Sequence, residues 1–400
     1  MLPLPLALAL FCAQAQGESA FIHTDGKYLV TPAHQKLLLR GTNLANWLEP
    51  EGYMFLLDGG PASPREIEAF FNELIGPSDA ASFWHDYREA YITQRDIQFL
   101  RKAGFNSVRI PIHYKFFVSG SEGFALLDRL IGWCREAGLW VILDLHCAPG
   151  GQTGTNIDDS FGYPWLFESA ADQDLTVDVW KRLAEHYRDE TIVLGYDLLN
   201  EPIPHFPQLQ KYNGKLEPLY KRISSAIRTV DTNHVIILGG AQWDSNLKVF
   251  GAPFDRNVMY SFHKYWTAPN QEVIQEYLDF RDRYNVPIWL GESGENTDEW
   301  IAQFVRVLEK NEVGWCFWPY KKMEKTSAVV SFAQPPHWAE ILAYAKIPAN
   351  TGEAEKRIAA RPSLNHSREA LRDLLQKIRF ENCSVNSGYV RALGLNGSTH

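Results

Sequence analysis

Cysteine is scarce in this chain and never closely paired. There are five in 400 residues, with no CxxC spacing, which excludes a disulfide framework. Basic runs are also missing. With 39 Lys and Arg against 48 Asp and Glu the formal charge is -9, so nucleic acid and anionic membrane surfaces are poor partners. Past the N-terminus no apolar segment is long enough to span a bilayer. No glycine-rich phosphate turn follows the first apolar strand. Arg40-Gly41-Thr42-Asn43 stands there instead, which argues against an open sheet that binds a dinucleotide. There is no short-period repeat, low-complexity tract or linker. A single domain over residues 16–383 is expected, followed by a loose tail over 384–400.

Residues 1–15 read as a secretory signal: Leu2 to Cys12 is apolar and Ala13-Gln14-Ala15 is a small-residue cleavage site. A secreted or periplasmic monomer is the expectation. Cys12 would leave with that segment. Of the four thiols that remain, Cys134 falls in a helical pattern and Cys316 in an apolar strand, both positions for small buried residues. Cys147 follows His146 in the candidate cleft.

From residue 37 onward, strand and helix patterns alternate. Apolar runs with little alternation fall at 37–39, 106–110, 140–145, 192–199, 235–238, 258–262, 286–290 and 313–318. Such runs suit parallel strands buried on both faces, each followed by a connection long enough for a crossover helix. Eight units predict a closed α/β (β/α)8 TIM barrel. Phe21–Lys36, with its Asp25-Gly26 turn signal, is expected as a hairpin plugging the bottom. Long connections after strands one, three, four and eight are expected on the catalytic face. A last helix is expected over Arg368–Ile378.

The strong polar candidates sit at the C-terminal ends of these runs. They are Arg109, His146, Asn200 with Glu201, His263 with Tyr265, Glu292, and Trp318. In a barrel these ends form one ring around one pocket. Two carboxyls, Glu201 and Glu292, delivered from two strand ends are what glycosidic bond cleavage requires. The 13 Trp and 17 Tyr suit a sugar-binding cleft. Each residue alone has a structural reading, as a salt-bridge partner, a core ring or a turn; the convergence is what carries the argument. Zinc-type spacing such as H-E-x-x-H is absent, and Arg109 in the same ring opposes a cation. No metal or cofactor is expected.

From Phe21 to Lys322 the chain resembles glycoside hydrolase family 5, the cellulase-type retaining glycosidases. The resemblance rests on Arg40-Gly41-Thr42-Asn43, Val108-Arg109-Ile110-Pro111, Asp144-Leu145-His146, Asn200-Glu201-Pro202, His263-Lys264-Tyr265, Gly291-Glu292-Ser293 and Trp315-Cys316-Phe317-Trp318. It implies Glu201 as general acid/base and Glu292 as nucleophile. It places Asn200 on the sugar 2-hydroxyl and Trp318 under the sugar, with His146 and His263 binding hydroxyls or orienting the carboxyls. Arg109 and Tyr265 would keep Glu292 ionised. Glu295, beyond the strand end, ranks below Glu292 as nucleophile. Trp318-Pro319 is expected as a cis peptide, and Trp47, Tyr53, Trp165, Trp243 and Trp266 are candidates for outer subsites.

The implied substrate is a β-glucan or related polysaccharide or oligosaccharide. The stretch from Asp144 to Gln152 looks like that of an exo-β-1,3-glucanase branch, whereas the loop after Trp47 and Pro319-Tyr320-Lys321-Lys322 do not. Linkage and endo or exo action stay open. A non-catalytic carbohydrate-binding barrel and a transglycosylase are the alternatives. The sequons at Asn365, Asn382 and Asn396 matter only in a source that glycosylates exported proteins.

Overall fold

Eight short segments, all but the first mainly apolar, form the parallel strands β1 (Arg40–Asn43), β2 (Ser107–His113), β3 (Trp140–Cys147), β4 (Val193–Asp197), β5 (Val235–Gly239), β6 (Val258–His263), β7 (Ile288–Glu292) and β8 (Gly314–Phe317). This is a computed structural model, and it describes residues 20–348 and 354–397. The proposed signal over 1–15 lies outside the described residues. The strands close into a barrel in chain order, β8 pairing back onto β1 through Trp315–Arg40 and Phe317–Thr42. Almost every strand residue is buried, because the interior is filled with side chains and helices cover the outside. The expected (β/α)8 barrel is the observed one.

The N-terminal segment pairs His23–Asp25 with Tyr28–Val30 across the Gly26 turn, as expected, and adds Lys36–Leu37 as a third strand. Leu37 therefore belongs to this small sheet, and the first barrel strand starts at Arg40. Leu29 from the sheet packs with Ile142, Ile237, Met259 and Trp289 inside the barrel, so the bottom end is plugged with apolar side chains and the open end faces the other way.

Two expectations are corrected. The connection after β1 is not an extended loop; it holds the helices Pro64–Ile75, Pro77–Tyr91 and Gln94–Ala103. Ser63 caps the first, its side chain accepting from the Glu66 N–H while Glu66 reaches back to the Ser63 N–H, and Pro64 supplies the first helical φ. Nor is the stretch over 384–397 loose. Ser384–Val385 pairs antiparallel with Val330–Phe332. Helix Ser387–Ala392 follows, and the Tyr389 hydroxyl reaches the Trp318 carbonyl. Buried Lys321 bonds Asp96, the Tyr91 carbonyl and the Ile378 carbonyl, holding this C-terminal part onto the barrel. The expected last helix runs over Leu364–Lys377.

Candidate active site

Arg109 lies in the middle of β2, fully buried, with its side chain inside the barrel. Its guanidinium meets Glu292 Oε1 at 2.6 Å, Asp197 Oδ2 at 2.8 Å, Asp144 Oδ1 at 3.0 Å, Asn43 Oδ1 at 3.0 Å and Asn200 Oδ1 at 2.9 Å. One fixed fork thus orients the polar residues of β1, β3, β4 and β7. Glu292 ends β7, and its second oxygen accepts the Tyr265 hydroxyl at 3.0 Å. Gly291 before it has no room for a side chain: a Cβ would lie 2.8 Å from His263 Nε2.

Asn200 and Glu201 follow β4 in a turn where Glu201 and Ile203 both have positive φ, 45° and 57°. Asn200 donates to His146 Nε2 at 3.2 Å, so that nitrogen is the acceptor. The His146 proton is then on Nδ1, donated to Asp144 at 2.8 Å. Glu201 Oε1 lies 2.9 Å from His263 Nδ1, which is 3.7 Å from Glu292 Oε2. Carboxylate oxygens of Glu201 and Glu292 come within 4.8 Å of each other.

Burial dominates the electrostatics. It lifts Glu201 well above the usual carboxyl range, reinforced by the charges of Glu292 and Glu51. It also lifts Glu292, but Arg109 pulls that carboxyl back down, so Arg109 opposes the rise rather than abolishing it. Burial drives His146 down to about 3 and His263 well below its ordinary value, so both imidazoles are neutral. Asp144 and Asp197 are pushed up to about 7 by burial against the pull of Arg109. Three carboxyls on one buried cation cannot all ionise cheaply.

Trp318 follows β8 through a cis bond to Pro319, as expected. Its ring stacks on His146, 5.4 Å between centroids and 13° between planes, and its Nε1 donates to the Tyr53 hydroxyl at 2.6 Å. It lines a cavity of about 830 Å³ together with Glu201, Glu292, Tyr265 and Asn200. On one wall stand Glu51 and Glu295. Glu295 is paired with Lys322, whose ammonium lies 4.2 Å from the Tyr53 ring centre. Burial and the charge of Glu292 raise Glu51 to about 8. His205, Phe206, Trp243 and Trp266 line the same cavity.

All eight expected site residues belong to this one cluster. Of the five outer aromatic candidates, Tyr53, Trp243 and Trp266 line the cavity. Trp47 does not: it is core, its Nε1 bonded to the Arg88 carbonyl. Trp165 is exposed outside the cavity lining. Cys147 is fully buried and its thiol is pushed far up, so it is not a reactive group. Sequence reasoning missed Asn43, Asp144 and Asp197 around Arg109, Glu51 on the wall, and Asp244, which sits 3.2 Å from His263 Nε2. A charged residue inside an apolar strand, as in Leu143-Asp144-Leu145 and Gly195-Tyr196-Asp197, was the available signal. Two His–carboxylate groups here have ligand atoms close enough for a metal, Glu201–His263–Glu292 and Glu49–Glu51–His146; Arg109 on Glu292 opposes a cation at the first.

The model of the family described as Cellulase (glycosyl hydrolase family 5) matches residues 69–324. A protein named Beta-xylosidase from Phanerodontia chrysosporium is 29% identical over 346 residues, 76% of this chain and 71% of its own length. Endoglucanase C from Acetivibrio thermocellus is 25% identical over 311 residues, 60% of this chain and 88% of its own. Among solved structures, the rutinosidase from Aspergillus niger superposes with a TM-score of 0.58 at 19% identity. It covers 73% of this chain and 92% of that one, a likeness of fold.

Proposed function

The chain belongs to glycosyl hydrolase family 5 and is a retaining O-glycosyl hydrolase of carbohydrate substrates, and we propose that Glu292 is its nucleophile and Glu201 its general acid/base. The observation that carries this reading is the pair's separation. Their oxygens lie within 4.8 Å. That suits direct attack by one carboxylate, whereas inverting pairs stand ~6.5–9.5 Å apart to admit a water.

The asymmetry of their partners sets the roles. Glu292 is held by Arg109 and by the Tyr265 hydroxyl, which favours the ionised form and aims it at the anomeric carbon. The Glu201 carboxyl meets neutral His263 rather than a cation, which leaves it the proton to give to the leaving oxygen. Once the sugar is bonded to Glu292, the ionised Glu201 takes a proton from water, and that water releases the sugar. Asn200, fixed by Arg109 and His146, presents its amide toward the 2-hydroxyl. Trp318 lies beneath the ring.

For the substrate we propose a terminal β-xylosyl or β-glucosyl unit of a short oligosaccharide. Support comes from the relative named Beta-xylosidase and from the polar wall of Glu51, Tyr53, Glu295 and Lys322 beside Trp318. We place the protein outside the cell on the strength of its N-terminal signal; no helix among the described residues is long and apolar enough to cross a membrane.

The test is hydrolysis of aryl β-xyloside, β-glucoside and oligosaccharides, followed by NMR of the first-formed anomer, with Glu292→Gly and Glu201→Gly assayed in azide. Azide should give an α-glycosyl azide with the first variant and a β-glycosyl azide with the second. The reverse pattern would exchange the two roles, and an inverted product from the wild type would sink the mechanism.

A further inference from the structure

The carboxyl of Asp244 reaches Glu201 by two routes. Its Oδ2 accepts the Glu201 backbone N–H at 3.4 Å, and the same oxygen lies 3.2 Å from His263 Nε2. The other ring nitrogen, Nδ1, is 2.9 Å from Glu201 Oε1. One buried imidazole thus stands between a buried aspartate and the Glu201 carboxyl. Gly239, at the end of β5, makes the space: a Cβ there would lie 2.3 Å from Asp244 Oδ1. Asp244 itself is held at φ 58°, a backbone region that non-glycine residues occupy at a cost. Its Oδ1 is buried without a hydrogen-bond partner among the described residues. A half-satisfied carboxyl on a strained turn weakens the fold, so its place is explained by what it faces.

Burial, with Arg109 and His146 nearby, keeps His263 neutral, so the ring carries one proton. On Nδ1 that proton would be donated to Glu201 and would favour the carboxylate. It would also leave the Nε2 lone pair facing an Asp244 oxygen, two acceptors 3.2 Å apart. On Nε2 the proton faces Asp244 instead, and Nδ1 is free to accept from a protonated Glu201. Among the described residues no hydrogen bond in line reaches Nε2, so Asp244 is the group that decides its proton. Glu292 Oε2 is 3.7 Å from Nδ1, beyond a hydrogen bond.

Resting on the reading of Glu201 as general acid/base, we propose that Asp244 is a positioning residue that keeps the His263 proton on Nε2, so that Nδ1 holds the acid proton of Glu201. In the first step Glu201 passes that proton to the leaving oxygen as the sugar bonds to Glu292. The bared carboxylate then faces the Nδ1 lone pair, and their repulsion favours taking a proton back. It comes from the water that attacks the anomeric carbon as the bond to Glu292 breaks. One tautomer of His263 thus suits both steps.

The experiment is nitrogen NMR of the full-length protein labelled at histidine, His263 being assigned by its loss in His263→Gln, together with pH profiles of kcat/KM. The expected spectrum has His263 protonated on Nε2 and bare on Nδ1 at neutral pH; a proton on Nδ1 would overturn the proposal, and this holds even if a variant fails to fold. Glu201 is also acted on by Glu292, Glu51, Arg109 and Asp144, and Asp244 by Asp197. All of these stay in Asp244→Leu, so a change in its profile reports the lost carboxyl. There Nδ1–H is free to donate to the Glu201 carboxylate, and the alkaline limb on an oligosaccharide should move to lower pH by about 1–2 units. Asp244→Asn should bring the limb back toward the wild type, because the Glu201 N–H orients the amide with its oxygen in the place of Oδ2. The loss in Asp244→Leu should be smaller on a dinitrophenyl glycoside, whose leaving group needs no proton. An unmoved limb in Asp244→Leu, the same shift in Asp244→Asn, or equal losses on both substrates at every pH would overturn the proposal. An alkaline limb that survives in Glu201→Gln would overturn the reading of Glu201 itself, and the proposal with it.

Discussion

Arg109 Nη1 lies 2.6 Å from Glu292 Oε1, and the same guanidinium holds Asp197 at 2.8 Å and Asp144 at 3.0 Å, all of them nearly or fully buried. The cation is at once a catalytic support and the charge balance of the barrel interior. A lysine carries the same charge but cannot fork to five partners. Arg109→Lys should therefore keep the family fold while lowering stability by about 3–5 kcal/mol, the cost of leaving buried charge unpaired. Hydrolysis should fall with it. Urea unfolding of the variant measures the first effect; a variant as stable as the wild type would show that the carboxyls shed their charge by taking up protons instead.

Leaving-group dependence separates the two glutamates. Glu201→Gln removes proton donation, which is worth roughly 10²–10⁴ in rate when the leaving oxygen is poor. With a dinitrophenyl glycoside, whose leaving group departs without a proton, the glycosylation step should be close to wild type. Glu292→Gln should be inactive on both substrates. A Glu201→Gln enzyme equally impaired on both would contradict its role as the acid. The measurement is kcat/KM on the two substrates for each variant.

Stability should decline through mildly alkaline pH. Asp144 and Asp197 are raised to about 7 and Glu51 to about 8 in the fold, above the ordinary carboxyl range near 4. The folded state therefore binds more protons than the unfolded chain over that window, and the stabilisation it carries is lost as pH rises through those values. His146, depressed to about 3, acts with the opposite sign, but its contribution is complete once the pH exceeds the ordinary histidine value near 6.5. Between the histidine value and pH ~8.5 only the carboxyl effect remains, so the melting temperature should fall there. Glu51→Gln should flatten the upper part of that fall. A melting temperature that is level across this window would contradict the buried carboxyl assignment.

The barrel and its ring of functional residues were legible in the sequence because both obey local rules. Parallel strands buried on two faces read as apolar runs, and Glu201, His263, Glu292 and Trp318 stand where those runs stop. What stayed hidden depends on which side of a strand faces inward. Asp144 and Asp197 lie within strands, and only the pairing register of β2, β3 and β4 brings them to Arg109. Glu51 and Asp244 come from connections whose paths no periodicity dictates. The helix from Pro64 was legible but passed over: Ser63-Pro64-Arg65-Glu66 is a capping box with proline at the first helical position.

The wall beside Glu201 is built on an unusual turn. Gln242, Trp243 and Asp244 all have left-handed φ, 53°, 55° and 58°, with no glycine among them. Gln242 is held by paired bonds with Asn213 at 3.2 and 2.8 Å and by Asn246 at 2.7 Å. That network keeps Trp243 on the cavity and Asp244 against His263. A left-handed non-glycine residue costs about 1–2 kcal/mol, so the turn holds strain for the sake of where these side chains point. Comparing Trp243→Ala with Trp243→Gly isolates that strain, since both remove the indole and only glycine is at ease at this φ. The glycine variant should be more stable than the alanine variant by about 1 kcal/mol. Both should lose activity on oligosaccharides more than on aryl glycosides, because the indole lies on the leaving-group side with Glu201. Equal stabilities in denaturant would mean that the turn is not left-handed at Trp243. Equal losses on both substrates would move Trp243 out of the leaving-group site.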